Sequence, residues 1–186
     1  MEKGKIILLN GVSSSGKTTI AKALQERFQE PYFWFSIDTF CNMVSMRYFN
    51  NAFNGDVFNK IYKAFNHTIS SFSDMGMHCI VDAVFLNIPG IDDNLHDFVK
   101  QLDGHEVLFV HVHCPLSELQ IREKKRGDRE IGQAKSQLDY LQLKDLYDVS
   151  IDTFKYTTDE CVDKIIEAYN VPEKYSAFLA LSKELG

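Results

Sequence analysis

One short stretch constrains this chain more than anything else in it. Gly11-Val12-Ser13-Ser14-Ser15-Gly16-Lys17-Thr18-Thr19 contains the full pattern G-x-x-x-x-G-K-[ST]. It follows the apolar run Lys5-Ile6-Ile7-Leu8-Leu9-Asn10 and precedes a segment with Ile20, Ala23, Leu24 and Phe28 at helical spacing. A strand, a glycine-containing turn and a helix in that order build a phosphate-binding loop. The glycines let the backbone curl until successive N–H groups face one anion-sized nest. The helix expected from Lys17 adds the positive end of its dipole. Gly11 to Thr19 is thus the expected cradle for the phosphates of ATP. Lys17 should reach the β- and γ-phosphates, and Thr18 should offer its hydroxyl to Mg²⁺. A solvated serine-rich turn would require neither flank.

A chain of 186 residues has the length of one domain. Its formal net charge of −6 argues against a broad nucleic-acid surface. The cations are uneven, with Arg122, Lys124, Lys125, Arg126 and Arg129 crowding one segment that reads as a local anion site. Cys41, Cys79, Cys114 and Cys161 lie far apart with no C-x-x-C, as expected of free thiols in a reducing compartment. No stretch approaches the ~20 apolar residues of a membrane span, and the first apolar run is too short for a signal peptide. A cytoplasmic protein with a small-molecule partner, and with neither nucleic acid nor membrane, is the expectation. No feature of the sequence fixes an oligomeric state.

Strand-like and helix-like segments alternate along the chain. Strands are expected over Lys5–Asn10, Tyr32–Ile37 (ending at Asp38), His78–Val81 (closing at Asp82), Glu106–His113 and Asp148–Asp152. Helices are expected over Lys17–Gln29, part of Thr39–Phe53, Val57–Phe72, from Pro89-Gly90 to Leu102, from Pro115, over Gln133–Leu146, and from a cap at Thr158 or Asp159 to Tyr169. A short helical tail follows Pro172. This alternation predicts an α/β fold: a three-layer domain with a five-stranded parallel sheet, right-handed crossovers and helices on both faces. Ligands in such sheets bind at the carboxyl ends of the strands, which would bring Gly11, Asp38, Asp82 and Cys114 to one edge.

Several side chains at that edge are candidates for chemistry. Asp38 is placed to take or orient the proton of an acceptor hydroxyl while phosphorus is attacked; a helix N-cap is the structural alternative. Asp82 is a candidate for the Mg²⁺ side or for the acceptor, or a simple strand-end residue, and its role and that of Asp38 are interchangeable at this level. Arg126 and Arg129 bracket Gly127-Asp128, as expected of a lid over about 122–137 that closes on the transferring phosphoryl group; a solvated basic helix end is the alternative. The aromatics Phe33, Trp34, Phe35, Phe40, Tyr48, Phe49, Phe53 and Phe58 are mostly expected in the core, with Phe40 a candidate for an apolar acceptor pocket. His111 and His113 share one side of a strand, with Cys114 adjacent, but no further ligand accompanies them to make a structural metal site. Cys41 and Cys114 have no evident activating base.

Read in order, these segments resemble one known family. Gly11–Lys17, Ser36-Ile37-Asp38-Thr39, Val81-Asp82-Ala83-Val84-Phe85-Leu86, Arg122-Glu123 with Arg126-Gly127-Asp128-Arg129, then Gly132, Ala134 and Gln137, and Val149–Thr153 with Glu160-Cys161 are similar to the chloramphenicol 3-O-phosphotransferase family of P-loop kinases. The likeness runs from about Lys5 to Ile166. The phosphate loop is widely shared; the Arg-Gly-Asp-Arg segment with its downstream Gly and Gln is more specific. The resemblance implies an ATP-dependent kinase acting on a hydroxyl group, with the aspartate after the second strand, here Asp38, as base. Ala83 stands where the family has a second aspartate, Cys41–Asn59 shares little with it, and the tail from about Val171 has no counterpart there.

Other readings remain open to test. One is a P-loop kinase with a different acceptor, such as a nucleotide sugar (as in zeta toxins) or a metabolite. Another is a nucleotide-dependent switch or ATPase. The chain lacks the N-K-x-D motif of GTPases and an L-S-G-G-Q-like signature, so transfer is the leading expectation.

Overall fold

A computed structural model describes residues 2–48, 55–88, 92–126, 132–141 and 146–185. Five strands, β1 (Ile6–Asn10), β2 (Tyr32–Ser36), β3 (His78–Ala83), β4 (Val107–His113) and β5 (Val149–Asp152), form one parallel sheet in the order β2-β3-β1-β4-β5. The helices are α1 (Lys17–Arg27), α2 (Ile37–Asn42), α3 (Gly55–Asp74), α4 (Asn94–Gln101), α5 (Leu116–Arg126), α6 (Gln133–Tyr140), α7 (Thr158–Tyr169) and α8 (Ala177–Leu185). This is the three-layer α/β architecture with a five-stranded parallel sheet that the alternation predicts. β1 is central, and the chain leaves it first toward β3 and later toward β4. A topological switch of this kind opens a crevice beyond the carboxyl end of the strand.

β1 is buried on both faces, which is why its sequence is continuously apolar rather than alternating. Ile6 and Leu8 face a core with Phe65, Val81, Phe98 and Phe109, covered by α3, α4 and α8. Ile7 and Leu9 face the other core, with Leu24, Ile80, Leu108, Ile151 and Val162, covered by α1 and α7. Truncating a wholly buried leucine such as Leu8 to alanine costs about 2–5 kcal/mol. A third cluster of Val12, Cys114, Leu119, Ala134 and Leu141 joins α5 and α6 to the loop after β1.

Several boundaries differ from the sequence expectation, each for a local reason. β2 stops at Ser36, the N-cap of α2, so Asp38 lies in a first helical turn rather than at a strand end. Its charge suits the positive end of that helix. Asp82 lies inside β3, because the strand continues one residue to pair Ala83 with Asn10. α1 ends at Arg27, where Phe28 turns to an extended conformation. α4 begins at Asn94, with Asp93 accepting the His96 N–H; Pro89 and Gly90 lie outside the described residues. α6 ends at Tyr140 rather than near Leu146, since Leu141 turns extended and bridges antiparallel to Leu86. The N-cap of α7 is Thr157, just before both expected caps, Thr158 and Asp159. Thr157 and Glu160 bond reciprocally, satisfying two otherwise orphaned backbone donors.

Candidate active site

The loop between β1 and α1 has the backbone its sequence demands. Gly11 passes so close to β4 that a Cβ there would sit 2.5 Å from the Val112 carbonyl oxygen. Gly16 caps α1 at φ 100°, in the left-handed region that favours glycine. Ser14, at φ 64°, adopts the same region without that freedom, a local strain typical of functional turns. The hydroxyls of Ser13, Ser14 and Ser15 are buried with no hydrogen-bond partner. Three orphaned hydroxyls around one turn suit an anion with several acceptor oxygens.

Elements distant in sequence brace this loop. Thr153, after β5, donates its hydroxyl to the Ser15 carbonyl at 2.7 Å. Arg122 on α5 donates to Thr153 Oγ1 and to the Thr153 carbonyl, both at 3.0 Å, and to Glu118 at 2.9 Å. Arg122 is therefore a strut holding α5, the β5–α7 turn and the phosphate loop together. Glu123, the next residue, is wholly buried. Its carboxylate accepts the Gly132 N–H at 3.1 Å and the Ala134 N–H at 2.6 Å, capping α6 from outside. From α6, the Gln137 side-chain oxygen accepts the Ser13 N–H at 2.6 Å.

Lys17, Thr18 and Asp82 converge on the floor of the site. Lys17 Nζ donates to the Val12 carbonyl at 3.1 Å and lies 3.7 Å from Asp82 Oδ1. Thr18 Oγ1 donates to Asp82 Oδ2 at 2.8 Å. Asp82 is buried, so the ammonium and the hydroxyl offset the cost of taking its charge out of water. A threonine hydroxyl beside a carboxylate is also the all-oxygen donor set that hard cations such as Mg²⁺ take, with water and phosphate completing the shell.

These groups open into a cleft of about 590 Å³. Asp38 lines it from α2, beside Ile37 and Val84. Lys125 and Arg126 line it from the end of α5, while Tyr156, Thr158 and Cys161 form the wall around the start of α7. Asp38 and Arg126 are both exposed, so solvent reaches the cleft between them. Arg129 lies outside the described residues, as do Phe49 and Phe53. Phe40 does not line the cleft; it is half-buried and meets Phe65 edge-on at 5.1 Å. Its neighbours Phe58, Tyr62 and Phe85 likewise stack in the core. Tyr62 is buried there with its hydroxyl donating to the Val84 carbonyl at 2.7 Å, and burial pushes its phenol well up.

Of the two histidines on β4, His113 is exposed and His111 is half-buried. His111 stacks on Tyr147 at 4.6 Å, with Nδ1 3.1 Å from the Ser150 hydroxyl. No cluster of metal-ligating residues occurs among the described residues. Burial pushes the Cys114 thiol up despite the nearby Arg122, away from nucleophilic use. What single-residue reasoning missed are the braces, Thr153 and Gln137, and the Tyr156 wall. Thr153 and Gln137 leave one trace in the sequence, their place in the segments that resemble the kinase family; Tyr156 lies outside those segments.

Comparison with known proteins accords with this geometry. Residues 4–170 match the family described as "Chloramphenicol phosphotransferase-like protein". A Mycobacterium tuberculosis protein provisionally named an O-phosphotransferase is 28% identical, over 98% of this chain and 90% of its own length. The adenylyl-sulfate kinase of Clostridium acetobutylicum is 26% identical, over 89% of this chain and 83% of its own. Among solved structures, the Mycobacterium tuberculosis APS kinase CysC in complex with AMPPNP and APS superposes with a TM-score of 0.66 at 17% identity, over 91% of this chain and 99% of that one. At that identity the likeness shows the shared fold.

Proposed function

The chain belongs to the chloramphenicol phosphotransferase-like family and is a kinase-type phosphotransferase, and from that premise we propose that it moves the γ-phosphate of ATP to a hydroxyl of a small molecule. The observation that carries this reading is the convergence of Lys17, Thr18, Asp82 and Asp38 on one cleft beside a loop of orphaned serine hydroxyls. Gly11 to Thr19 binds the triphosphate, with Lys17 on its outer phosphates. The Tyr156, Thr158 and Cys161 wall faces the nucleoside end. Thr18 and Asp82 are the residues that would hold Mg²⁺, which when bound neutralises phosphate charge. Asp38 lines the same cleft and orients the acceptor hydroxyl, receiving its proton as the new P–O bond forms and the bond from the γ-phosphorus to the bridging oxygen breaks to release ADP. Arg126, with Arg129, brings positive charge to the transferring group.

Ile37 and Val84 line the cleft together with Asp38. The match to the chloramphenicol phosphotransferase-like family supports an uncharged alcohol of the chloramphenicol type as the acceptor.

The deciding experiment is transfer of labelled phosphate from ATP, with Mg²⁺, to chloramphenicol, adenylyl sulfate and a panel of hydroxylated metabolites, with Asp38→Asn as control. Label on an uncharged alcohol, lost in the variant, is the expected result. Label on adenylyl sulfate alone would reverse the acceptor assignment. ATP hydrolysis without any acceptor dependence would replace the kinase reading with an ATPase.

A further inference from the structure

We propose that Gln137 is an internal competitor for the phosphate loop, its side-chain carbonyl holding a backbone amide that a nucleotide phosphate oxygen would otherwise take. The inference rests on the reading that this loop binds a nucleotide. The Ser13 N–H donates to Gln137 Oε1 at 2.6 Å, joining residues 124 positions apart. That is short for an N–H···O bond. On that reading, the amide is one of the run of N–H groups that the turn would offer to one anion. An amide carbonyl matches a phosphate oxygen in its acceptor geometry and lacks its full charge. It therefore satisfies the amide, yet yields to a triphosphate that Lys17 and the helix dipole also attract.

The carbonyl is held in place from both sides. Glu123 fixes the start of α6 through the Gly132 and Ala134 N–H groups. Past the other end, the Tyr140 carbonyl accepts the Asn87 N–H at 2.8 Å and Leu141 bridges to Leu86. Between these anchors, Ala134 packs with Val12 of the loop. Gln137 follows Ala134 by three positions and so shares its face of the helix. The loop's own serine hydroxyls remain without partners, so Gln137 serves the backbone of the nest and not its side chains. A competitor of this kind reduces apparent nucleotide affinity to the fraction of molecules in which the nest is free.

The test uses two substitutions in the full chain. Gln137→Leu removes the acceptor while keeping the bulk; Gln137→Glu keeps the acceptor and adds negative charge. Binding of a non-hydrolysable ATP analogue is measured by calorimetry, and exchange of the Ser13 amide is followed without nucleotide. Gln137→Leu is expected to bind the analogue about 2- to 10-fold tighter, the range of one net hydrogen bond, with faster Ser13 exchange. Gln137→Glu is expected to bind it more weakly, with Ser13 exchange still slow. These opposite signs separate competition from a structural role, since damage to α6 would weaken binding in both variants. If Gln137→Leu folds poorly, Gln137→Met carries the same expectation. Weaker or unchanged binding in the apolar variants overturns the competition and leaves the kinase reading standing. A wild-type chain with a slow Ser13 amide and no nucleotide binding would overturn both.

Discussion

The two sides of the cleft are built by different means. The side proposed for the nucleotide is a lattice of hydrogen bonds in which Arg122 and Thr153 fix the backbone of the phosphate loop from two separate elements. The side proposed for the acceptor is carried by aromatic packing. Asp38 rides on a short helix that meets α3 through Phe40 against Phe65, and Val84 is steadied from behind by the Tyr62 hydroxyl. The difference follows from what each side must recognise. A triphosphate has one charge pattern and one geometry, so directional, preorganised donors serve it best. Acceptors differ in shape, so their side rests on packed apolar surface, which is repacked more readily than a hydrogen-bonded network. Damage on the first side should therefore strike transfer to every acceptor, and change on the second should alter which acceptor is used.

Lys17→Ala tests the common half most severely. Transfer should fall about 10³-fold for any acceptor, the scale of losing a donor aimed at developing charge, as read by steady-state assay. Near-normal turnover would sink the contrast. Asp38→Asn comes next. Transfer should fall about 10²-fold, the usual weight of a positioned base, while calorimetry finds ATP binding nearly intact. Loss of binding together with turnover would move Asp38 to the nucleotide side. Arg126→Ala should lower kcat by about tenfold, or 1.4 kcal/mol, and weaken ATP binding less, because a charge with the proposed role acts mainly on the transition state.

A gentler substitution sharpens the acceptor half. Tyr62→Phe removes the bond to the Val84 carbonyl. It should cost about 1 kcal/mol in denaturant unfolding and change the acceptor KM while leaving the ATP KM unmoved. A shift in the ATP KM instead would show that the halves are not separable. The smallest effect concerns acid stability on the nucleotide side. Burial pushes the Asp152 carboxyl up, but the Phe154 and Lys155 N–H groups and the nearby charges of His113 and Lys155 outweigh it and hold the carboxyl below its ordinary 3.8. A lowered folded-state value stabilises the fold above the ordinary value, and this contribution fades as pH falls through the lowered one. Asp152→Asn should thus unfold with a shallower loss of stability below about pH 4 than the parent chain. Parallel acid-unfolding curves would count against it.

Much of this was legible in order along the chain. Lys5–Asn10 announced a doubly buried strand, and Gly11–Thr19 announced both the loop and the two glycines whose backbone it requires. Helix periodicity placed α1, α3 and α7 nearly to their ends. Asp38 was misplaced by a single secondary-structure boundary, because Ile37 suits a strand and a buried helix start equally. The Thr157 cap was missed for want of the Glu160 geometry. Phe40 illustrates a harder limit: an aromatic near a carboxylate reads the same whether it faces a pocket or Phe65, and only the packing of α2 on α3 distinguishes them.

The sequence by itself determined the parallel α/β fold and the strand–turn–helix of Gly11–Thr19 with its two required glycines, because each depends on neighbours along the chain and on simple periodicity. Tertiary structure alone decided that Arg122 is a strut, that Glu123 caps a helix other than its own, and that Gln137 holds the Ser13 amide. Those bonds join residues such as Ser13 and Gln137, 124 positions apart, or Ser15 and Thr153, 138 apart. Any of many polar side chains was chemically able to make them. The sheet order that sets β4 and β5 beside β1 selected these few by bringing α5, α6 and the β5–α7 turn within reach of one loop.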